Sequence, residues 1–107
     1  MNLHIVTGFI FSLLAVFNLS AQNRCVVKGQ ILDASTQEGV PFANIVVYGT
    51  TIGIASDEAG FYRLENISPG FIRLEVSRLG YKTKVTGEFW VNTVLECTEN
   101  VCLEVES

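Results

Sequence analysis

Three cysteines (Cys25, Cys97 and Cys102), one histidine (His4) and two aspartates beside turn signals (Asp33 and Asp57) are the residues of this 107-residue chain whose types could do chemistry. Nucleophilic catalysis needs a hydroxyl or thiol within reach of a base, most often an imidazole. His4 stands in an apolar leader, so the chain after it has no Ser-His-Asp or Cys-His arrangement. Asp33 and Asp57 fall at strand ends and turns, where a carboxylate accepts local amide hydrogen bonds before it serves as a general acid or base. No Cys-x-x-Cys or Cys/His spacing offers a zinc site. Gly49-x-x-x-Gly53 lacks the Lys-Ser/Thr that a phosphate loop requires. These residues predict a protein that is not an enzyme and carries no cofactor or metal.

What remains to the cysteines is crosslinking. Cys97 and Cys102 are ~16 Å apart if the chain between them is extended, too far for a disulfide except across a tight turn. Cys25 pairs with Cys97 or Cys102 if the chain ends come together, and otherwise all three are small apolar residues.

Residues 1–21 contain no Asp, Glu, Lys or Arg, run apolar from Ile5 to Val16, and end in Leu19-Ser20-Ala21 before the polar Gln22-Asn23-Arg24. That pattern reads as a secretory signal peptide cleaved after Ala21, with residues 22–107 as one exported domain. The apolar run is short of the ~20 residues that a membrane-spanning helix needs. The net charge of −4 belongs wholly to residues 22–107, and the segment after Lys84 is acidic. No basic stripe is available for a phosphate backbone, so nucleic acid is excluded as a partner.

The elements that must position any site are strands. Gly29, Gly39, Gly49, Gly60, Gly70 and Gly80 stand about ten residues apart, with alternating β-branched and aromatic runs between them, which predicts a small all-β sandwich or barrel. Seven strands are expected, at 26–32, 42–48, 52–56, 61–65, 71–77, 81–91 (broken near Gly87) and 99–105. The alternation turns Val27, Gly29, Ile31, Ala43, Ile45, Val47, Tyr62, Leu64, Ile72, Leu74, Val76, Val101 and Leu103 inward. Structural turns are expected at Gly29, at Asp57 and Gly60, at Pro69-Gly70, and at Gly80-Tyr81. A two-residue hairpin at Pro69-Gly70 would set inward residues opposite outward ones. Either that loop is one residue longer, pairing Arg63 with Glu75 and Glu65 with Arg73, or the chain crosses there between sheets. Phe42, Tyr48, Phe61, Phe71, Phe89 and Trp90 point outward. Of these, Phe42, Tyr48, Phe71 and Trp90 form the candidate interaction surface for a protein or a carbohydrate.

The ordered set Val27-x-Gly29-x-Ile31-x-Asp33, Pro41-x-Ala43-Asn44-Ile45, Gly53-x-x-Ser56-Asp57-x-x-Gly60-x-Tyr62-x-Leu64-x-x-Ile67, Pro69-Gly70 and Val76-Ser77-x-Leu79-Gly80-Tyr81 resembles the carboxypeptidase regulatory-like domain. The resemblance runs from Val26 to about Leu103. It implies a seven-stranded transthyretin-like (prealbumin-like) β-sandwich in which the chain crosses between sheets at Pro69-Gly70. It also implies a setting at the N-terminus of TonB-dependent outer-membrane receptors, commonly in Bacteroidetes-like bacteria that import glycans. The expected role is a non-catalytic accessory domain on the periplasmic side of the cell envelope, partnered by a receptor plug and barrel or an associated protein. A truncated or stand-alone copy fits the same pattern. The alternative is a free-standing exported protein that binds carbohydrate or another ligand.

Overall fold

A computed structural model describes residues 24–107. They form ten strands and no helix: β1 (Cys25–Asp33), β2 (Asn44–Val47), β3 (Gly53–Ala55), β4 (Phe61–Ile67), β5 (Gly70–Ile72), β6 (Leu74–Ser77), β7 (Lys84–Val85), β8 (Phe89–Val91), β9 (Cys97–Thr98) and β10 (Val101–Leu103). The leader expected at residues 1–21 lies outside the described residues. In one sheet β1 runs between β4, antiparallel, and β9 and β10, both parallel to it. A second sheet has the order β3-β2-β6-β7, and β5 and β8 make a separate two-stranded ribbon.

The core forms because inward positions from both sheets meet. Cys25, Val27, Ile31, Leu64, Val101 and Leu103 face Ile45, Val47, Leu74 and Val76, all of them buried. Within the second sheet Ile45 stands opposite Val76 and Val47 opposite Leu74, so inward residues meet inward residues and the alternation fixes the register. In β4 the buried positions run Tyr62, Leu64, Ile67, one step out of alternation. Asn66 absorbs that step at φ 61°, and the register against β1 shifts there. The extra residue makes a bulge, and asparagine tolerates the left-handed region better than most side chains.

The all-β sandwich is as expected, but the strand count is ten where seven were expected. Two expected strands are each divided where the chain changes partner, and a short strand, β9, forms ahead of the expected 99–105 strand. The 71–77 segment breaks at Arg73, since β5 pairs with β8 whereas β6 pairs with β2. The 81–91 segment breaks around Gly87, with β7 on β6 and β8 on β5. Near the C-terminus the ladder to β1 is interrupted between β9 and β10. There the Asn100 side-chain oxygen, in place of a main-chain carbonyl, accepts from the Gln30 amide at 2.9 Å.

The chain crosses between sheets at Pro69-Gly70: β4 lies in the first sheet and β6 in the second. The charge-paired hairpin is not formed. Glu75 stands opposite Val46 and Val85 in the second sheet, while Arg63 bonds Glu65 and Glu96 on the outer face of the first.

Two buried hydroxyls complete main-chain bonding that strands leave open. Ser56 Oγ accepts from the Ala43 amide and donates to the Val40 carbonyl, both at 2.8 Å. Thr86 Oγ1 accepts from the Leu74 amide at 3.0 Å. A buried amide without a partner costs about 1–3 kcal/mol, so each hydroxyl holds a segment that ladder bonds do not reach.

Candidate contact surface

The carboxylates that sequence placed at turns are engaged in holding those turns. Asp57 Oδ1 accepts from the amides of Ala59 and Phe61, both at 2.9 Å, and the Gly60 amide donates to the Asp57 carbonyl at 3.0 Å. Gly60 has φ 88°, and a Cβ there would lie 2.4 Å from the Ile31 carbonyl oxygen. Asp33 Oδ1 accepts from the amides of Ser35 and Thr36, while Oδ2 accepts from the Tyr81 hydroxyl at 2.8 Å. Those hydrogen bonds, Tyr81's first, hold the Asp33 carboxyl below its ordinary pKa of 3.8. Both aspartates serve as anchors of their turns.

Gly29 is corrected from a turn residue to a strand residue. It lies inside β1, and its role is close approach: a Cβ would sit 2.0 Å from the Glu99 carbonyl oxygen on the neighbouring segment. Gly70 and Gly80 have φ 141° and 93°, Gly70 opening β5 just after Pro69 and Gly80 standing directly before Tyr81.

All three cysteines are free. Cys97 stands opposite Val27, two residues from Cys25, and Cys102 stands opposite Leu32 at the far end of β1. Cys102 is therefore ~23 Å along the strand from Cys25, which rules out that pairing. Burial, followed by the nearby Glu99, pushes the Cys97 thiol above its ordinary pKa of 9.0 and keeps it protonated. Among the described residues no cluster of three or more His, Cys, Asp or Glu side chains could hold a metal ion.

Two of the grooves on the outer surface bear on a contact role. The first, of about 520 Å³, runs over the β4–β1–β9 face between Lys28, Gln30, Phe61, Arg63, Thr98 and Asn100. Its cations are already matched: Glu96 takes Lys28 at 3.0 Å and both terminal nitrogens of Arg63, and Glu65 takes Arg63 Nε at 2.9 Å. Arg63, with Lys28 second, holds the Glu96 carboxyl down at a pKa of about 2.

The second groove, of about 420 Å³, gathers Tyr48, Thr50, Phe71, Arg73 and Glu88 over Val47 and Ile72. The Tyr48 amide donates to the Arg73 carbonyl at 2.9 Å, which ties the end of β2 to the β5–β6 junction. Phe71 on β5 stands directly opposite Trp90 on β8, their rings edge to face with centroids 4.9 Å apart. All three rings are open to solvent: Tyr48 is 54% exposed, Phe71 65% and Trp90 54%.

Of the four residues in the candidate interaction surface, the fold sets Phe71 against Trp90 and puts Tyr48 and Phe71 on one groove. It leaves Phe42 apart, exposed at the opposite end of β2. Phe89 is only half-buried and packs against the core. Neither Arg73 nor Glu88 is marked as a site residue by the sequence, where Arg73 figures only as a possible hairpin partner of Glu65. The only local signal is that each is next to a residue of the β5–β8 ribbon, and which other strand that ribbon would approach is a long-range matter.

A two-sheet β-sandwich with its turn carboxylates engaged in the fold and an aromatic groove on its outer surface defines a small domain of the regulatory or binding type. A profile described as the CarboxypepD_reg-like domain matches residues 27–101. The chain belongs to that family, the carboxypeptidase regulatory-like domains. No curated protein sequence matches it.

Among solved structures the chain is similar to the Bacillus anthracis TIE protein, with TM-score 0.64 and 17% identity, over 78% of this chain and 17% of that one. It is similar to a candidate carbohydrate-binding protein of Bacteroides uniformis, with TM-score 0.58 and 16% identity, over 74% of this chain and 40% of that one. It is also similar to part of a type II cohesin–X-dockerin complex from Acetivibrio cellulolyticus, with TM-score 0.54 and 17% identity, over 76% of this chain and 58% of that one. This chain spans less than two thirds of the length of each, and at such identities the likeness is one of fold.

Proposed function

We propose that this domain works by contact and not by chemistry, as a non-catalytic accessory module of the bacterial cell envelope. In this reading it is the N-terminal extension of a TonB-dependent outer-membrane receptor, or a truncated or stand-alone copy of one. The observation that carries the reading is a division of labour among side chains. Asp33 and Asp57, the candidate acids, are engaged in turns, whereas the large aromatic side chains Tyr48, Phe71 and Trp90 are held outward on short strands or at their ends. A rigid scaffold presenting aromatic surface is what recognition needs and what acid–base or nucleophilic catalysis does not use. The leader, read as an export signal, supports an envelope location, in the periplasm or at the periplasmic face of the outer membrane.

Affinity purification from a native envelope, run in parallel with a hydrolase screen, tests this. Co-purification of an outer-membrane receptor is expected, together with an N-terminal residue of Gln22 in the recovered protein. Reproducible turnover that is abolished by changing one carboxylate or cysteine would overturn the reading. Recovery of protein with Met1 retained would overturn the cleaved leader.

The second reading, an exported ligand-binding sandwich, is favoured by the groove beside Tyr48. The fold shared with a candidate carbohydrate-binding protein of Bacteroides uniformis supports it too.

A further inference from the structure

We propose that the groove between Tyr48 and Phe71 is a saccharide site for an uncharged sugar unit of an oligosaccharide. The proposal rests on the contact reading above and names the ligand class for one face of the domain. A pyranose presents an apolar face of C–H groups and a rim of hydroxyls, each hydroxyl both donor and acceptor. Its site therefore needs an aromatic face beside separate donors and acceptors.

Those parts are all present. Phe71 lines the groove, and Trp90 packs edge to face against it at 68° between planes, instead of covering it face to face. Ring surface is thus left for a ligand, as their exposure shows. Tyr48 lines the groove that Phe71 borders. Arg73, which only donates, and Glu88, which as a carboxylate only accepts, line the same groove with the Thr50 hydroxyl. Neither Arg73 nor Glu88 is in an ion pair among the described residues, in contrast to Lys28, Arg63, Glu65 and Glu96 on the other sheet.

Two considerations favour a neutral sugar over other occupants. The charges of Arg73 and Glu88 cancel, so neither a phosphate nor an acidic chain finds a net field in the groove. At about 420 Å³ the groove falls within the roughly 300–1,000 Å³ typical of small-ligand sites.

Trp90 is the only tryptophan in the chain, and its ring stands 4.9 Å from that of Phe71, which lines the groove, so its emission reports on a ligand seated against Phe71. The full exported chain is titrated with hexasaccharides of β-1,4-xylose, β-1,4-mannose, β-1,4-glucose and α-1,4-glucose. At least one is expected to change Trp90 emission saturably. Tyr48→Ala and Arg73→Ala should each weaken that binding by roughly tenfold, the loss of one ring or one charged hydrogen bond. Phe61→Ala, which removes an exposed ring from the other sheet, should bind as the parent does. Circular dichroism establishes that each variant is folded.

No saturable response from the folded parent to any of the four sugars overturns the proposal. So does a response that survives Tyr48→Ala and Arg73→Ala unchanged. Shielding of Trp90 from acrylamide by an envelope protein, with no response to sugar, overturns it in favour of a protein partner. The contact reading fails separately, on turnover: a silent sugar panel with receptor co-purification intact removes the site and leaves the contact role standing.

Discussion

The Tyr81 hydroxyl donates to Asp33 Oδ2 at 2.8 Å, joining the end of β1 to the turn after β6. The same corner is tied by main-chain bonds. The Lys82 amide donates to the Glu104 carbonyl at 2.8 Å and the Glu106 amide to the Gly80 carbonyl at 2.9 Å. One side-chain bond thereby fastens the end of β1, and two backbone bonds fasten the segment after β10, to the turn that follows β6.

This corner should be sensitive to acid. Because the fold holds the Asp33 carboxyl below 3.8, its contribution to stability is complete above that value and is lost as pH falls through the lower folded one. Tyr81→Phe removes the largest cause of the depression. Asp33 should then titrate closer to 3.8 and the acid-unfolding midpoint should move to higher pH, read by carboxyl NMR and by circular dichroism. The Tyr81 hydroxyl is shifted upward by the same bond. Its contribution is therefore present below its ordinary pKa of 10.0 and lost as pH rises through the folded value.

Substitutions at the glycines should rank by how many constraints they violate. Gly60→Ala meets both a left-handed backbone and the Ile31 carbonyl, and should cost roughly 3 kcal/mol or more. Gly80→Val meets strain alone, since nothing lies within 4 Å of its Cβ position, and should cost ~1–3 kcal/mol. Gly29→Ala should cost as much as Gly60→Ala despite an ordinary φ, because the atom it meets is backbone. Urea midpoints measure all three, and equal midpoints for Gly60→Ala and Gly80→Val would contradict the ranking.

The ion cluster on the outer face makes a titration prediction. Glu96, at a pKa of about 2, should move toward its ordinary 4.5 in Arg63→Met and less in Lys28→Met, following the order of their contributions. Its stabilisation is present above 4.5 and disappears as pH falls toward 2. Since the pair is solvent-exposed, 0.5 M salt should shrink the shift. Carboxyl NMR decides it.

The thiols give a third kind of test. Unreduced protein, denatured, should bind three equivalents of a thiol reagent, one for each free cysteine. Folded, the buried Cys25 should react far more slowly than Cys102, which is partly open to solvent. A stoichiometry of one in denaturant would mean that two cysteines are bonded.

What is local in this fold is legible in the chain's own residues. Alternation put Ala43, Ile45 and Val47 inward because successive strand side chains point to opposite faces, whatever the partner strand. Asp57 and Gly60 announced their turn because its bonds close within five residues. Pairing was decided elsewhere. That β9 and β10 lie parallel to β1, that Gly29 must lack a Cβ because Glu99 passes over it, and that Tyr81 reaches Asp33 depend on which distant segments meet in the packed core. So does the groove: outward Tyr48, Phe71 and Trp90 were visible one at a time, as was Phe42. Only the crossing of the chain at Pro69-Gly70 and the pairing of β5 with β8 set Phe71 against Trp90, brought Phe71 beside Tyr48, and left Phe42 in the turn before β2. A side chain's face follows from the pleat of its own strand, whereas its neighbours follow from a free-energy minimum over the whole chain.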